Sequence, residues 1–428
     1  MGAVTGIETR AASATPWTLR RVVTAGVIGN VLEWYDFAVY GFFAPILAAN
    51  FFPAADPRVS LLAAFAAFAV GFLMRPVGAA VFGHIGDRYG RARALLFSVA
   101  MMAVPTVLMG LLPTYDTIGI AASVLIVALR MCQGIAVGGE FTASIVFLAE
   151  NAPARRRGFF ASFSMFGATF GTMLGSAVGG LLTRVMSAEA LATWGWRAAF
   201  VSGIVVAVVG IIIRRGMFDS PGKAAVASPL TVAFREHRWQ VLRVLGLNMA
   251  SAATYYTLFV YAATWVSQTT KIERATALDV TTVTILTFLV VLPMAAWVSD
   301  LVGRKLMLAV GMTACLLMAY PLVTLMHAGA IATTAAAQMT FGALLALQMA
   351  SIPAAMTEMF PHGVRVSAVS VGYGLAYALF GGTAPAVAVW LISRTGNDTV
   401  FAWYLMGLTA ISLVLALSVP DRRGQPLP

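Results

Sequence analysis

GHIGDRYGRARA at residues 83–94 is echoed by AWVSDLVGRKLM at 296–307, aligning Asp87 with Asp300, Gly90 with Gly303 and Arg91 with Arg304 at an offset of 213 residues. A second echo, at an offset of 208, aligns Glu150 with Glu358 and Arg157 with Arg365, and in each copy the acid precedes the arginine by seven residues. Two echoes at similar offsets in a chain of 428 residues indicate two halves in the same orientation. Such weak internal repeats are common in transporters.

Composition agrees with that reading. The chain is 60% hydrophobic and 11% charged, with a mean hydropathy of +0.86, whereas a soluble domain averages about 45–50% apolar and about 25% charged. The net charge of +11 is dispersed among short loops. Nucleic-acid binding would need that charge gathered on one face. Cys132 and Cys315 fall in apolar runs and match neither a disulfide framework nor a metal site. The polar segment before residue 22 leads into an apolar run too long for a signal-peptide core, so it predicts a retained first membrane helix.

Windows of about 20 apolar residues separate into twelve predicted spans, giving an all-α integral membrane protein of two six-helix bundles. The predicted organisation is a segment 1–21, a bundle 22–214, a central loop 215–240, a second bundle 241–419 and a tail 420–428. With both termini cytoplasmic, twenty Lys and Arg fall on the cytoplasmic side and six on the other, while Arg75 and Arg130 lie within spans. The positive-inside rule therefore predicts both termini inside.

Ionisable residues within spans are costly and mark function by default. Glu33 and Asp36 share one face of the first span, with Tyr40 nearby, and are candidate proton carriers. Arg130, Gln133 and Glu140 of the fourth span fall within an arc of about 80°. Arg130 offers a fork for a carboxylate, and Glu140 is a third candidate proton carrier. Arg75, followed by Pro76, lies nearer the cytoplasmic end, where snorkelling or a structural ion pair is expected. The fifth span carries Gly167, Gly171, Gly175 and Gly179, a small-residue ridge for close helix packing. Asn248, Tyr255, Tyr256, Tyr373 and Tyr377 supply polar capacity in the seventh and eleventh spans, and adjacency prevents Tyr255 and Tyr256 from both facing one cavity. The doubled loops, with Asp87, Arg88, Gly90 and Arg91 in one and Asp300, Gly303 and Arg304 in the other, suit a latch that holds one access state. Glu150, Arg157, Glu358 and Arg365 join them as gating candidates. No phosphate loop, nucleophile and base, or metal-ligand cluster is present in the sequence, so neither enzyme, cofactor nor metal is expected.

These loops on twelve spans resemble the major facilitator superfamily. NVLEWYDFAVYG at 30–41, FLMRPVGA at 72–79, RMCQGIAVGGEF at 130–141, WGWR at 194–197 and EMFPHGVR at 358–365 resemble, more narrowly, its metabolite:proton symporters, which carry citrate, 2-oxoglutarate, shikimate, and proline or betaine. The resemblance implies alternating access, a central site shared by the halves, proton-coupled uptake and a multi-pass place in the bacterial inner membrane. It adds Arg197 as a family-typical residue and a substrate-contact candidate. Asp300-Leu301 replaces the usual Asp-Arg, which predicts a weaker second latch. The expected function is proton-coupled import of a di- or tricarboxylate or oxo acid by a monomer, in which Glu33 or Asp36 takes a proton and Arg130 holds the substrate carboxylate. Small-molecule substrate, protons and lipid are the expected partners, and nucleic acid is not. The alternatives are a proline or betaine-type zwitterion symporter, whose cation aromatic faces could hold, and a non-transporting membrane sensor.

Overall fold

The computed structural model describes residues 16–78, 81–82, 85, 91–137, 140–204, 208 and 235–428. Asp87, Arg88 and Gly90, the side chains of Arg91 and Glu140, and residues 215–234 of the expected central loop lie outside the described residues.

Without water in the bilayer core, backbone polar groups must be satisfied within the chain, which leaves helices as the way for these apolar runs to cross. The helices that matter here are α1 (Pro16–Phe42), α2 (Pro57–Leu73), α3 (Arg91–Leu111), α4 (Ile120–Ala136), α5 (Glu140–Glu150), α6 (Arg157–Val185), α7 (Arg238–Tyr256), α8 (Arg274–Val302), α9 (Arg304–His327), α10 (Ile331–Ala350), α11 (Ile352–Glu358), α12 (Arg365–Ala376), α13 (Ala384–Thr395) and α14 (Phe401–Leu417). Among the described residues, seven helical stretches are long and apolar enough to cross a membrane, including Pro57–Gly78, Ala154–Val185 and Arg274–Val302.

Apolar and polar residues are arranged in the sense a bilayer demands. Val414, Leu317, Val290 and Leu181 are exposed, while Asn30, Asp36, Arg130, Gln133 and Gln338 are buried. Helices α1 to α6 pack among themselves, as do α7 to α14, and the groups meet along a seam where α6 lies against α8, α5 against α12 and α2 against α13. The glycine ridge works within the first group: a Cβ on Gly171 would stand 2.3 Å from the Val31 carbonyl oxygen of α1. At Gly303 the backbone takes φ +106°, the turn expected between α8 and α9.

Among the described residues, three π-helical turns interrupt the helices, at Leu191–Gly195, Thr257–Tyr261 and Tyr377–Gly381. Such turns recur at functional sites. The second directly follows Tyr256 and the third begins at Tyr377, which places both irregularities at the centre of the seam.

Candidate functional site

A layer of aromatic rings crosses the seam. Trp34 of α1 meets Tyr255 and Tyr256 of α7 at ring-centroid distances of 5.8 and 6.1 Å, and Tyr377 at 6.3 Å. Phe72 of α2 approaches Tyr256 to 4.9 Å, and Phe141 of α5 approaches Tyr373 of α12 to 5.0 Å. Tyr373 and Tyr377 stack 4.0 Å apart. All of these rings are buried. Trp34 Nε1 and the Tyr256 hydroxyl nevertheless have no hydrogen-bond partner among the described residues. Buried polar groups are nearly always bonded, so donors without a partner among the described residues, set between the two bundles, point to a place for a polar ligand.

Two arginines flank this layer. The Arg75 guanidinium lies 4.1 Å from the Phe72 ring centroid, 5.0 Å from Phe37 and 5.6 Å from Trp34. Arg75 is only 5% exposed and has no ion pair among the described residues. Arg75 is thus buried and does not snorkel: its short helical turn after α2 faces the aromatic layer, and among the described residues ring faces meet its charge.

Arg130 also lies against Phe37, 4.5 Å from that ring, 4.5 Å from Tyr40 and 5.1 Å from Phe68. Its Nη1 donates to Gln133 Oε1 at 2.7 Å, Gln133 Nε2 donates to the Thr106 hydroxyl at 2.7 Å, and Thr106 donates to Asp36 Oδ2 at 3.0 Å. Asp36 and Arg130 are thus joined by a buried polar chain through two intermediates. Asp36 Oδ1 and Arg130 Nε and Nη2 have no hydrogen-bond partner among the described residues.

At the end of the seam that holds Asp300, Arg157 Nη1 meets Glu358 at 2.9 Å, and Arg304 binds the same carboxylate at 3.2 Å. Asp300 accepts from the backbone N–H groups of Gly158 and Phe159 at 2.9 Å each and pairs with Arg304 at 2.6 Å. Arg365 binds Glu150, and His362 lies 4.0 Å from it. The opposite end is also bridged. Arg274 donates to the Phe42 carbonyl, Arg184 pairs with Asp279, and Thr282 donates to Ser176 at 2.9 Å.

The structure thus groups Arg130, Gln133, Asp36 and Tyr40 in one cluster, and Tyr256, Tyr373 and Tyr377 in another. Glu33 is buried on α1 beside Trp34. Tyr255 turns to α6, bonding the Thr172 and Thr169 hydroxyls at 2.9 and 3.3 Å. Asn248 stays within its own bundle, bonding the Val244 carbonyl at 2.8 Å and Met356 Sδ at 3.0 Å. Arg197 stands apart and donates to the Gly110 and Leu112 carbonyls at 2.9 and 2.7 Å, closing the end of α3. Trp34, Phe72, Phe141 and Thr106 are missing from the sequence-derived candidates. Trp34 stands between Glu33 and Asp36 in a motif already singled out, and that was the available signal. Thr106 had none beyond following Pro105.

Bundles that meet around a buried polar and aromatic centre, latched at both ends, define a solute carrier of the major facilitator fold. A solved structure of the proton:xylose symporter bound to 6-bromo-6-deoxy-D-glucose has the same fold, with a TM-score of 0.77, 18% identity and coverage of 96% of this chain and 97% of that one. An inward-open form of the E. coli xylose transporter gives 0.74 at 18% identity, covering 96% and 98%. The sugar (and other) transporter family model matches residues 22–222 and 223–428, and the chain belongs to that family. It is 33% identical over 425 residues to the glycine betaine/proline/ectoine/pipecolic acid transporter of Dickeya dadantii, across 96% of this chain and 85% of the relative. It is 32% identical over 442 residues to the ectoine/proline transporter of Corynebacterium glutamicum, across 96% and 86%. The protein is a multi-pass membrane transporter and not an enzyme. These relatives overturn the expected organic-acid substrate. The motifs behind that expectation occur in carriers of both substrate groups and so could not separate them.

Proposed function

We propose that the protein takes up a small zwitterion of the proline and betaine type together with a proton. The observation that carries this reading is the aromatic layer across the seam, with Arg75 at its edge: ring faces suit a substituted ammonium, and a guanidinium suits the carboxylate of the same molecule. Similarity to carriers named for glycine betaine, proline and ectoine supports it.

Asp36 is the proton site in this reading, and the chain through Thr106 and Gln133 to Arg130 ties its charge state to the centre. Phe37 makes the connection because it lies under both guanidinium groups, at 4.5 Å from Arg130 and 5.0 Å from Arg75. Arg130 therefore acts on the substrate through Phe37 and the polar chain, and Glu33 and Glu140 stay secondary candidates. The latch of Asp300, Glu358 and their arginines closes the cytoplasmic side. Residues 22–214 and 241–419 rock as two bundles about the loop 215–240 in a monomer.

Uptake of labelled proline, glycine betaine and ectoine into proteoliposomes, with citrate as control, tests the reading. Accumulation of a zwitterion driven by an inside-alkaline gradient is expected. Accumulation of citrate alone, or zwitterion uptake driven by sodium with no response to the pH gradient, would overturn the substrate or the coupling half respectively.

A further inference from the structure

Arg157, Arg304 and Arg365 are each buried against a carboxylate, and Arg130 is bonded to Gln133. Arg130 shares with Arg75 a place against ring faces, but Arg75 has neither a carboxylate nor a bonded amide beside it among the described residues. Its charge lies against Phe72, Phe37 and Trp34 and against no acid among the described residues, and its Nε has no hydrogen-bond partner. A buried cation held by ring faces is the arrangement by which proteins recognise substituted ammonium ligands. Here the protein's own side chain fills it. Phe72 in turn touches Tyr256 across the seam, at 4.9 Å, so the filled place lies where the bundles must part to admit a solute.

We propose that in the substrate-free protein the Arg75 guanidinium occupies the cation subsite of the aromatic layer, and that a zwitterion takes the site by exchange. The substrate carboxylate draws the guanidinium off the rings, and the substrate ammonium replaces it on them. The charge against the rings is the same before and after, so the exchange strands no cation in an apolar place. A plain cation has no carboxylate to draw Arg75 away and meets a filled, like-charged subsite. Arg75 is thereby a specificity-determining residue that admits zwitterions and excludes substituted ammonium ions lacking a carboxylate. This inference rests on the zwitterion reading above and adds to it a reason for rejection as well as for binding.

Equilibrium binding of labelled glycine betaine and labelled choline to the purified full chain separates the two. Wild type is expected to bind glycine betaine and to exclude choline. Arg75→Gln, which empties the subsite and removes the fork, is expected to lose about ten-fold or more in betaine affinity and to gain about ten-fold or more for choline, the scale of a desolvated cation–π contact. Arg75→Lys keeps the charge without the planar stack and should fall between. If Arg75→Gln does not fold, judged by thermal unfolding, Arg75→Lys carries the same choline readout. A folded variant that keeps wild-type betaine affinity overturns the proposal. So does one that loses betaine without gaining choline, which would make Arg75 an ordinary carboxylate anchor. Failure of wild type to bind any zwitterion would count against the functional reading, while the gain or absence of choline binding in the variants still decides the role of Arg75.

Discussion

Arg157 crosses the seam to Glu358 at 2.9 Å, and Arg365 crosses back to Glu150. Each half thus gives its arginine to the other half's acid, although in sequence each arginine stands seven residues after the acid of its own half. Both side chains of the first pair are almost fully buried, and stranding one member of such a pair costs about 3–5 kcal/mol. Arg157→Ala should therefore open this end of the seam, read as faster alkylation of a cysteine placed at Ser299, and should slow net uptake. The swapped pair, Arg157→Glu with Glu358→Arg, should fail to restore the latch, because the new arginine would face Arg304, which binds Glu358 in the wild type at 3.2 Å. Rescue by the swap would show that Arg304 takes no part.

Asp300 fastens the same end by another route, accepting two backbone N–H groups at the start of α6 while paired with Arg304. A carboxylate suits this place because three donors converge on it and the start of a helix favours negative charge. Asp300→Asn puts an amide N–H₂ against one of those donors. The expected result is the same cysteine exposure as in Arg157→Ala, with the single variants less than additive in combination because they share Arg304. Full additivity would mean two independent latches.

The ion-pair cluster at this end was legible in the sequence because it is built from a repeat: Asp300, Glu358, Arg157, Arg365 and Glu150 all stood in doubled motifs. Which acid meets which arginine was not, since exchange between halves depends on how the bundles face each other. The departure at Leu301 suggested a weaker second loop, yet Asp300 holds three donors, and Leu301 itself is exposed. The centre was half legible. Asp36 and Arg130 stood out as charges in apolar spans, and helical spacing put Gln133 beside Arg130. Arg75 was misplaced because depth along a helix does not say which way its face turns, and the aromatic layer is assembled from α1, α2, α5, α7 and α12, whose mutual rotation no single-helix periodicity contains.

Packing of α6 on α1 gives a stability test. Gly171→Ala would drive a methyl to 2.3 Å from the Val31 carbonyl, whereas the nearest atom to a Cβ on Gly179 is 3.7 Å away. Overpacking of the first kind costs about 1–3 kcal/mol. Gly171→Ala should lower the unfolding temperature in detergent and the folded yield, and Gly179→Ala should leave both unchanged. Equal tolerance at the two positions would mean that α1 and α6 do not pack this closely.

For Asp36 the expected outcome is a split between two assays. Asp36→Asn keeps the Thr106 contact and removes the titrating group, so accumulation driven by an inside-alkaline gradient should vanish while counterflow exchange of preloaded substrate persists. Gln133→Leu interrupts the chain between Asp36 and Arg130 and should weaken the dependence of uptake on the gradient with less effect on exchange. Normal gradient-driven accumulation by Asp36→Asn would remove Asp36 as the proton site.

Tyr255 and Tyr256 are neighbours with opposite bonding, and their phenylalanine variants should behave in opposite ways. Tyr255 spends its hydroxyl on Thr172 and Thr169 across the seam. Tyr255→Phe should cost about 1 kcal/mol of stability, the net worth of one hydrogen bond, and leave the KM for substrate nearly unchanged. Among the described residues the buried Tyr256 hydroxyl has no hydrogen-bond partner, so its removal breaks no hydrogen bond to them, and it is placed to bond a ligand. Tyr256→Phe should therefore match or exceed wild type in thermal stability while raising the KM several-fold. A fall in stability with unchanged KM would mean that the hydroxyl serves the fold, and the aromatic layer would lose its claim to be the place where substrate binds.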